Sequence, residues 1–494
     1  MSRILVAGIG PLPDPKQRHV FAPGLRLLSF LRSLRNDGHE LALVEAPFNP
    51  DGAPSKSAVP MPLLEHAAVA AEPAEFRAAI NRISTQRNIE AVVATSDVAA
   101  LGAATSSFPG PLYVDYYGHP LAERQQQAAE ANNNAALAKA WEYVLPVLLR
   151  ADRFSACSQA QRLALLGELG AAGRLNAQTC GHDLVDVIPP VLAIHEELPP
   201  SRAGFLRERG IPAGAPVILS TGGFNNWFDE ETLFGGLQKV MMADHEIHFA
   251  ATGGEIPGAV VDVFRRFRDR VRSSAFADRV HLLGWLEHDD FLAACREAWV
   301  AVVCDHPTLE GELGARTRTI GWLWSGLRVV CTESGENVRA LSDARWIRTV
   351  RPRDTSALAD ALRAELALGR RGEAEAESLR REVRRRFSEE ELFLPVVRWA
   401  RRPRVAHDRE HTGKVQNPLA DWQRFVLAER NRVEELEGQL AAAIELADRL
   451  EGSRLFNSFF GGRPEIMGAL ARIRSLRKVV PPSSDAVKPP PHES

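Results

Sequence analysis

The residues best suited to chemistry on a phosphorylated substrate are charged side chains in a short stretch, Glu310, Glu312, Arg316 and Arg318. Guanidinium groups match phosphate oxygens in both shape and charge. Thr317 lies between the two arginines, where the start of a helix is expected and where an anion is favoured. We therefore predict that Arg316, Thr317 and Arg318 bind a diphosphate group. The alternative is an ordinary solvated helix face.

A second candidate phosphate site is the glycine-rich stretch 220–229, which follows a buried strand and precedes a helix. Gly222 and Gly223 would let backbone N–H groups approach a phosphate, and the helix N-terminus adds partial positive charge. Asn225 and Asn226 would supply side-chain donors. The alternative is an ordinary turn between a strand and a helix.

In the amino-terminal part of the chain, Asp115, His119 and Glu123 follow a short apolar strand. A histidine in such a loop can serve in acid–base chemistry or bond to a hydroxyl group. We take His119 as the catalytic candidate, with Asp115 and Glu123 as companions. A purely structural role is the alternative for His119.

Buried strands alternate with helices over roughly the first 400 residues, which predicts an α/β fold with parallel sheets. Strands are predicted at 3–8, 41–44, 91–94, 112–114, 217–220, 247–252, 280–284, 299–304 and 327–332. Helices are predicted at 24–37, 72–87, 121–147, 158–169, 315–326 and 380–399. An acidic loop is expected at 308–312. Ligands of such sheets bind at the carboxyl ends of the strands, where the candidate residues fall.

The segment 280–343 resembles the carboxyl-terminal domain of GT-B glycosyltransferases, of the retaining, group 1 or family 4-like kind. The resemblance rests on the order of strand, acidic loop and helix, on SGLRVV at 325–330 and on SGENVRAL at 334–341. It implies two Rossmann-like domains that face a cleft. It also implies a nucleotide-sugar donor as substrate, with no separate cofactor and no metal.

The same resemblance implies particular roles. Glu310 or Glu312 would contact the transferred sugar, and His119 would lie near the sugar and the acceptor. The second acidic residue of the family pattern falls at Gly321, so the ribose contact would have to come from elsewhere, and Glu336 is our candidate. Gly10, in the first connection between strand and helix, would lie on the acceptor side.

These patterns and typical domain lengths divide the chain into five segments. We predict an acceptor domain at 1–198, a nucleotide-sugar domain at 199–385 and a crossover helix at 386–405. A helical or coiled-coil extension is predicted at 416–480 and a disordered tail at 481–494. A proline-containing linker is expected up to Pro200.

Composition excludes several classes of protein. The net charge of −3 argues against a nucleic-acid binder. The five cysteines are widely spaced, as in a protein with reduced thiols, and predict a cytoplasmic location. The sequence contains no run of about 20 apolar residues, so it does not predict a membrane helix. No D-x-D motif or cluster with metal-ligand spacing accompanies the candidate loops.

The extension has its own pattern. Apolar residues at three- and four-residue steps indicate a short coiled coil that would make a homo-oligomer: Val433, Leu436, Leu440, Ala443, Ala447 and Leu450. Packing on the protein's own surface is the alternative. Three phenylalanines (Phe456, Phe459 and Phe460) precede a basic amphipathic helix (Ile466, Leu470, Ile473 and Leu476, with Arg472, Arg474, Arg477 and Lys478). That helix would either contact an anionic membrane surface or pack on the coiled coil.

We therefore expect a metal-independent, retaining hexosyltransferase that moves a sugar from a nucleotide sugar to a hydroxyl acceptor. The extension suggests an acceptor on a lipid-linked surface glycan. Two alternatives remain: a catalytically decayed scaffold, and a GT-B enzyme of other chemistry such as an epimerase or phosphorylase.

Overall fold

The computed structural model describes residues 2–13, 21–47, 56–191, 204–256, 262–409 and 418–476. The chain divides into two compact units, residues 1–414 and 415–494. The predicted linker and the boundary between 198 and 199 lie outside the described residues. So do Arg477, Lys478 and the tail at 481–494.

The first half of the larger unit (residues 2–191) is built on a seven-stranded parallel sheet in the order β3-β2-β1-β4-β5-β6-β7. Its strands are β1 (Arg3–Gly10), β2 (Glu40–Pro47), β3 (Glu65–Ala68), β4 (Ala91–Thr95), β5 (Leu112–Tyr116), β6 (Arg153–Ala156) and β7 (Val185–Val187). Its helices are α1 (Ala22–Asn36), α2 (Pro73–Gln86), α3 (Asp97–Ala104), α4 (Pro120–Ala131), α5 (Ala135–Arg150) and α6 (Gln159–Ala171).

The second half (residues 204–387) has a six-stranded parallel sheet in the order β10-β9-β8-β11-β12-β13. Its strands are β8 (Val217–Gly223), β9 (His248–Gly254), β10 (Val280–Gly284), β11 (Val300–Val303), β12 (Arg328–Thr332) and β13 (Arg348–Val350). Its helices are α7 (Phe205–Glu208), α8 (Glu230–Ala243), α9 (Val263–Arg272), α10 (His288–Glu297), α11 (Leu309–Leu313), α12 (Thr317–Trp324), α13 (Glu336–Asp343), α14 (Thr355–Ala367) and α15 (Glu373–Arg386).

The central strands are buried on both faces, which explains their continuous apolar sequences. In β4, all five residues are buried, and the same holds for the four residues of β11. Helices cover both faces of each sheet, and separate apolar cores form on the two sides of the first sheet. The predicted α/β fold with two Rossmann-like halves is confirmed.

Three predicted elements were wrong in detail. The helix expected at 121–147 is two helices, because Asn132 adopts a left-handed conformation with φ 49° and ends α4. The segment expected as an acidic loop contains the short helix α11, and the hydroxyl of Thr308 accepts a hydrogen bond from the N–H of Gly311 at its start. The single helix expected at 380–399 is also interrupted.

After α15 the chain returns to the first half through α16 (Glu389–Leu392) and α17 (Leu394–Arg401). The hydroxyl of Ser29 in α1 donates to the carboxylate of Glu389 at 2.6 Å, and the ring of Phe393 packs edge-on against Phe30 at 4.9 Å. The segment that follows is fixed by ion pairs. Arg174 pairs with Asp408, and Arg409 pairs with the buried Asp152.

The smaller unit consists, within its described part, of α18 (Pro418–Gly452), α19 (Arg454–Phe460) and α20 (Pro464–Ser475). Ile444 and Ala447 of α18 and Leu470 of α20 are buried. The amino-terminal end of the predicted seam differs, since Val433 and Leu436 are 51% and 53% exposed. Only part of the seam is therefore covered within the chain.

Candidate active site

Several loops of the two halves meet at the carboxyl ends of the two sheets. The hydroxyl of Ser158, after β6, donates to the carbonyl oxygen of Leu313 at 2.7 Å. The amide of Gln126 in α4 donates to the carbonyl oxygen of Asn226, after β8, at 3.2 Å. The hydroxyl groups of Tyr117 and Thr317 also form a hydrogen bond across this boundary. Loops that carry candidate residues of both halves thus meet at one cleft between the strand ends.

Arg318 lies against the end of β8. Its Nη1 donates to the carbonyl oxygen of Thr221 at 2.7 Å and its Nη2 to that of Gly223 at 3.3 Å. No carboxylate among the described residues forms an ion pair with this guanidinium. Burial, with a contribution from the nearby Arg316, lowers the pKa of Arg318. A partly buried cation therefore stands at the strand end without a neutralising partner in contact.

Gly222 and Gly223 form the strand end against which Arg318 packs. They belong to β8 itself, whereas the sequence suggests that they lie in the loop after it. Gly222 has φ +85°, which L side chains rarely adopt, and its backbone is packed against Gly253 of β9. A Cβ on Gly223 would lie 2.5 Å from the side chain of Ile256. Asn225 and Asn226 follow in the turn, and the carbonyl oxygen of Asn225 accepts from the N–H of Phe228 at 2.9 Å.

Arg316 does not fit the predicted role of a diphosphate ligand, because acidic side chains already engage its guanidinium. Nε donates to Asp305 at 2.5 Å, while Nη1 and Nη2 donate to the two oxygens of Glu310 at 3.1 and 2.9 Å. Burial lowers the pKa of Arg316, but Asp305 and Glu310 outweigh it and raise the pKa above its usual range. This buried cluster fixes Glu310 at the cleft.

The two other acidic candidates of the second half lie at different places. The Glu312 side chain is 57% exposed and pairs with Arg339 at 2.8 Å. This geometry does not fit a sugar contact, because the carboxylate is in solvent and already paired. Glu336 begins α13, and its carboxylate accepts a hydrogen bond from the N–H of Gln159 in the first half at 2.7 Å.

His119 is buried in the turn before α4. Its Nδ1 accepts the N–H of Ala122 at 3.3 Å and so caps the helix. Nε2 lies 3.3 Å from the carboxylate of Glu168. With 6% of its surface exposed, His119 holds the turn in place instead of presenting a free ring to the cleft.

Asp115 and Gly10 also serve the scaffold of the first half. Asp115 is fully buried and accepts hydrogen bonds from Arg26, at 2.8 and 3.0 Å, and from the hydroxyl of Ser155. A Cβ on Gly10 would lie 2.6 Å from the carboxylate of the buried Glu45. The predicted acceptor contact of Asp115 does not fit, because both of its oxygens are occupied in the core.

Within the described residues, the carboxylate of Glu123 forms no hydrogen bond or ion pair, and it lies near Glu310 of the cleft. It lies in the first turn of α4, and one of its oxygens would be 1.8 Å from a Cβ on Gly118, so only glycine permits this approach. Burial, followed by the negative charges of Glu310 and Asp97, raises the pKa of Glu123 to about 8. Glu123 is therefore mainly protonated at neutral pH.

Sequence reasoning missed Asp305 and Tyr117. Asp305 is the second residue after β11, and the position of a carboxylate at a strand's carboxyl end was a usable signal. Tyr117 gave no signal, because its partner Thr317 is 200 residues away.

Over the described ranges, no group of three or more histidine, cysteine, aspartate or glutamate side chains is placed to hold a metal ion. None of the helices in that part of the chain is long and apolar enough to cross a membrane.

Comparison with known proteins supports the fold. The chain is similar to sucrose-phosphate synthase from Thermosynechococcus elongatus, with 18% identity, a TM-score of 0.61, and coverage of 81% of this chain and 98% of that one. It is similar to E. coli trehalose-6-phosphate synthase bound with UDP-2-fluoro glucose (12% identity, TM-score 0.54, 81% and 97% covered). It is also similar to a glycosyltransferase from Rickettsia africae (13%, 0.53, 81% and 99%).

No family model matches the chain, and no curated protein matches it. The solved structures nevertheless establish that its larger unit has the GT-B glycosyltransferase fold.

Proposed function

We propose that the protein transfers a sugar from a nucleotide-sugar donor to a hydroxyl acceptor, with the donor diphosphate bound by Arg318. The observation that carries this proposal is the partly buried Arg318 guanidinium, which has no ion pair with a described carboxylate and lies at the carboxyl end of β8. A doubly charged diphosphate would supply the missing negative charge. In support, a protein of the same fold holds UDP-2-fluoro glucose.

The remaining side chains would then orient the sugar. Glu310 is held rigidly by Arg316, and a carboxylate has further lone pairs with which to accept hydrogen bonds from sugar hydroxyl groups. Glu123, protonated at neutral pH, would donate a hydrogen bond to an oxygen of the sugar or of the acceptor. Arg316 acts through Glu310 and is a positioning residue.

In the reaction, the bond between the anomeric carbon and the diphosphate oxygen breaks, and the acceptor oxygen forms a new bond to that carbon. Arg318 and nearby backbone N–H groups would stabilise the negative charge that develops on the diphosphate. In a retaining reaction the acceptor attacks on the face that the diphosphate leaves, and its proton passes to a diphosphate oxygen. Metal independence is part of this proposal, since a fixed cation can replace a metal ion at the leaving group.

The proposal is tested by titrating nucleoside diphosphates into the full chain by calorimetry. We expect Arg318→Gln to weaken binding at least about tenfold, because a hydrogen bond to a charged group contributes roughly 1.5 to 3 kcal/mol. Arg339→Gln, which removes an exposed paired arginine on α13, should leave binding unchanged. Failure of the wild type to bind any nucleoside diphosphate would reject the donor site.

Hydrolysis of nucleotide sugars separates an enzyme from a decayed scaffold. The wild-type protein should slowly release nucleoside diphosphate from one nucleotide sugar, and Glu310→Gln should abolish this release while retaining the fold. Binding without release from any donor would favour the scaffold.

A further inference from the structure

A charged cavity lies at the end of the second sheet that is opposite the cleft. It has a volume of about 720 Å³ and is bounded by the end of α10, the end of α12 and the residues from Arg370 to Arg384. Ala298, Trp299 and Leu327 in its wall precede β11 and β12. The cavity therefore faces the amino ends of these strands, whereas the cleft lies at carboxyl ends.

The lining is strongly basic. Six arginines contribute to it: Arg296, Arg370, Arg371, Arg380, Arg381 and Arg384. The acidic lining residues are Glu373 and Glu377. The lining thus contains four more positively than negatively charged side chains. The carboxyl ends of α10 and α12 together offset about one of these through their helix dipoles.

The arginines differ in how far they are neutralised. Arg380 is buried and pairs with both lining glutamates, Glu373 and Glu377. Arg371 pairs with Glu375, and its Nε is buried without a hydrogen-bond partner among the described residues. The lining glutamates are therefore used by one arginine, and the excess charge resides on the others.

Arg296 and Arg381 line the cavity without an acidic partner in the described part of the chain. Within the described residues, neither forms an ion pair within 4.0 Å. Burial, together with the charge of Arg380, lowers the pKa of Arg296, so its charged form is disfavoured where it stands. A bound anion would relieve this repulsion.

We propose that this arginine cavity binds a small phosphorylated metabolite that carries at least two negative charges. Guanidinium groups offer paired N–H donors to phosphate oxygens. The volume exceeds that of a single phosphate and leaves room for an organic part beside Trp299. Arg384 already stacks over Trp324, with its central carbon 5.0 Å from the ring centroid.

The site would be linked to the cleft by one element. The cavity touches Trp324 at the end of α12, while Thr317 and Arg318 at the start of this helix face the cleft. Eight residues of α-helix span about 12 Å. An anion in the arginine cavity would therefore act on the same helix that carries the proposed diphosphate ligand.

The test uses inorganic tripolyphosphate as the probe, titrated calorimetrically into the full chain at about 0.15 M salt. We expect Arg296→Gln/Arg381→Gln to weaken one class of binding at least tenfold. Arg385→Gln is the matched control, because Arg385 is exposed on α15, pairs with Glu382 and does not line the cavity. It should bind as the wild type does.

Two further variants distinguish binding in the arginine cavity from binding in the cleft. Arg381→Glu reverses one exposed charge without disturbing the core, so it tests the cavity even if the double variant does not fold. Arg318→Gln alters the cleft alone and should leave binding to the arginine cavity intact. The proposal is overturned if the wild type does not bind the probe, if Arg381→Glu binds it as tightly as the wild type, or if Arg318→Gln removes all binding.

Discussion

Glu123 makes the stability of the folded protein depend on pH. Its carboxyl group has an ordinary pKa of 4.5, and burial with nearby negative charge raises this value to about 8 in the folded protein. The folded state therefore binds the proton more tightly than the unfolded state does. The resulting stabilisation is complete below pH 4.5 and is lost as the pH rises towards 8.

Glu123→Gln should consequently become more stable relative to wild type as the pH rises. Glutamine keeps the shape but cannot ionise, so we expect its melting temperature to gain by about 2 °C or more between pH 5 and pH 9. Thermal unfolding over this range measures the difference. Glu75→Gln is the control, as an exposed carboxylate in the first turn of α2. Parallel pH profiles for Glu123→Gln and wild type would refute the assignment.

His119 is expected to act through the turn it caps. His119→Ala should destabilise the protein by about 1 kcal/mol, as loss of an N-cap does, and should reduce turnover by displacing Glu123. His119→Asn supplies a new capping oxygen and should recover both properties. Recovery of stability without recovery of turnover would instead make His119 a catalytic residue, which was our prediction from the sequence.

At the residue scale, the sequence did not distinguish an arginine that is paired with carboxylates from one that is not. Arg316 and Arg318 look equivalent in sequence, since they stand two positions apart at the start of α12. Asp305 and Glu310 pair with the guanidinium of Arg316. The guanidinium of Arg318 instead meets backbone carbonyl oxygens at the end of β8. Such pairing depends on tertiary contacts, which spacing alone does not reveal.

The helix α12 contains one position at which the family pattern can be tested directly. Gly321 lies inside this helix, and a Cβ added there meets nothing within 4 Å. A Cβ can therefore be added at Gly321 without a clash, whereas at Gly314 it would lie 2.7 Å from the carbonyl oxygen of Glu310.

Gly321→Glu should raise stability by about 0.5 to 1 kcal/mol, because glycine is a poor helix former. If the side chain reaches the ribose, nucleoside-diphosphate affinity should also rise, by about tenfold for a charged hydrogen bond. Gly321→Gln is the matched control for helix propensity. Equal affinity in both variants and wild type would show that the ribose lies elsewhere.

At the element scale, the long apolar strands were predictable because their burial on both faces leaves a continuous signal. The short edge strands β3 and β13 were not predicted, since β3 has no buried residue and β13 has only one. The break after α4 was missed although the three consecutive asparagines at 132–134 are poor helix formers, and Asn132 ends the helix in a left-handed conformation.

At the scale of the whole molecule, the two compact units should be separable. A chain ending at residue 414 should keep its fold and its nucleotide affinity, because its core is complete without α18–α20. A chain ending at residue 403 should be much less stable. It leaves Arg174 and Asp152 without Asp408 and Arg409, and breaking a buried ion pair costs roughly 3 to 5 kcal/mol.

Chemical denaturation of both truncated chains measures this contrast. Equal midpoints would remove the ion pairs from the account of stability.

Light scattering and liposome flotation of full-length and 414-residue chains test the remaining predictions for the extension. The exposed Val433 and Leu436, together with Phe459 at 71% exposure, should drive self-association or binding to anionic lipid. Loss of either property on truncation would support the prediction. Identical mass distributions without flotation would remove the basis for a lipid-linked acceptor.

The ion pair between Arg174 and Asp408 also sets an order of events during synthesis. Its partners are 234 residues apart, so at about 5 to 20 residues per second the ribosome needs roughly 10 to 50 s to make the second after the first. Through that interval the first half has been translated but contains charges whose partners do not yet exist. Nascent chains stalled before residue 408 should therefore be cut readily by protease within the first half, and chains released after residue 409 should resist.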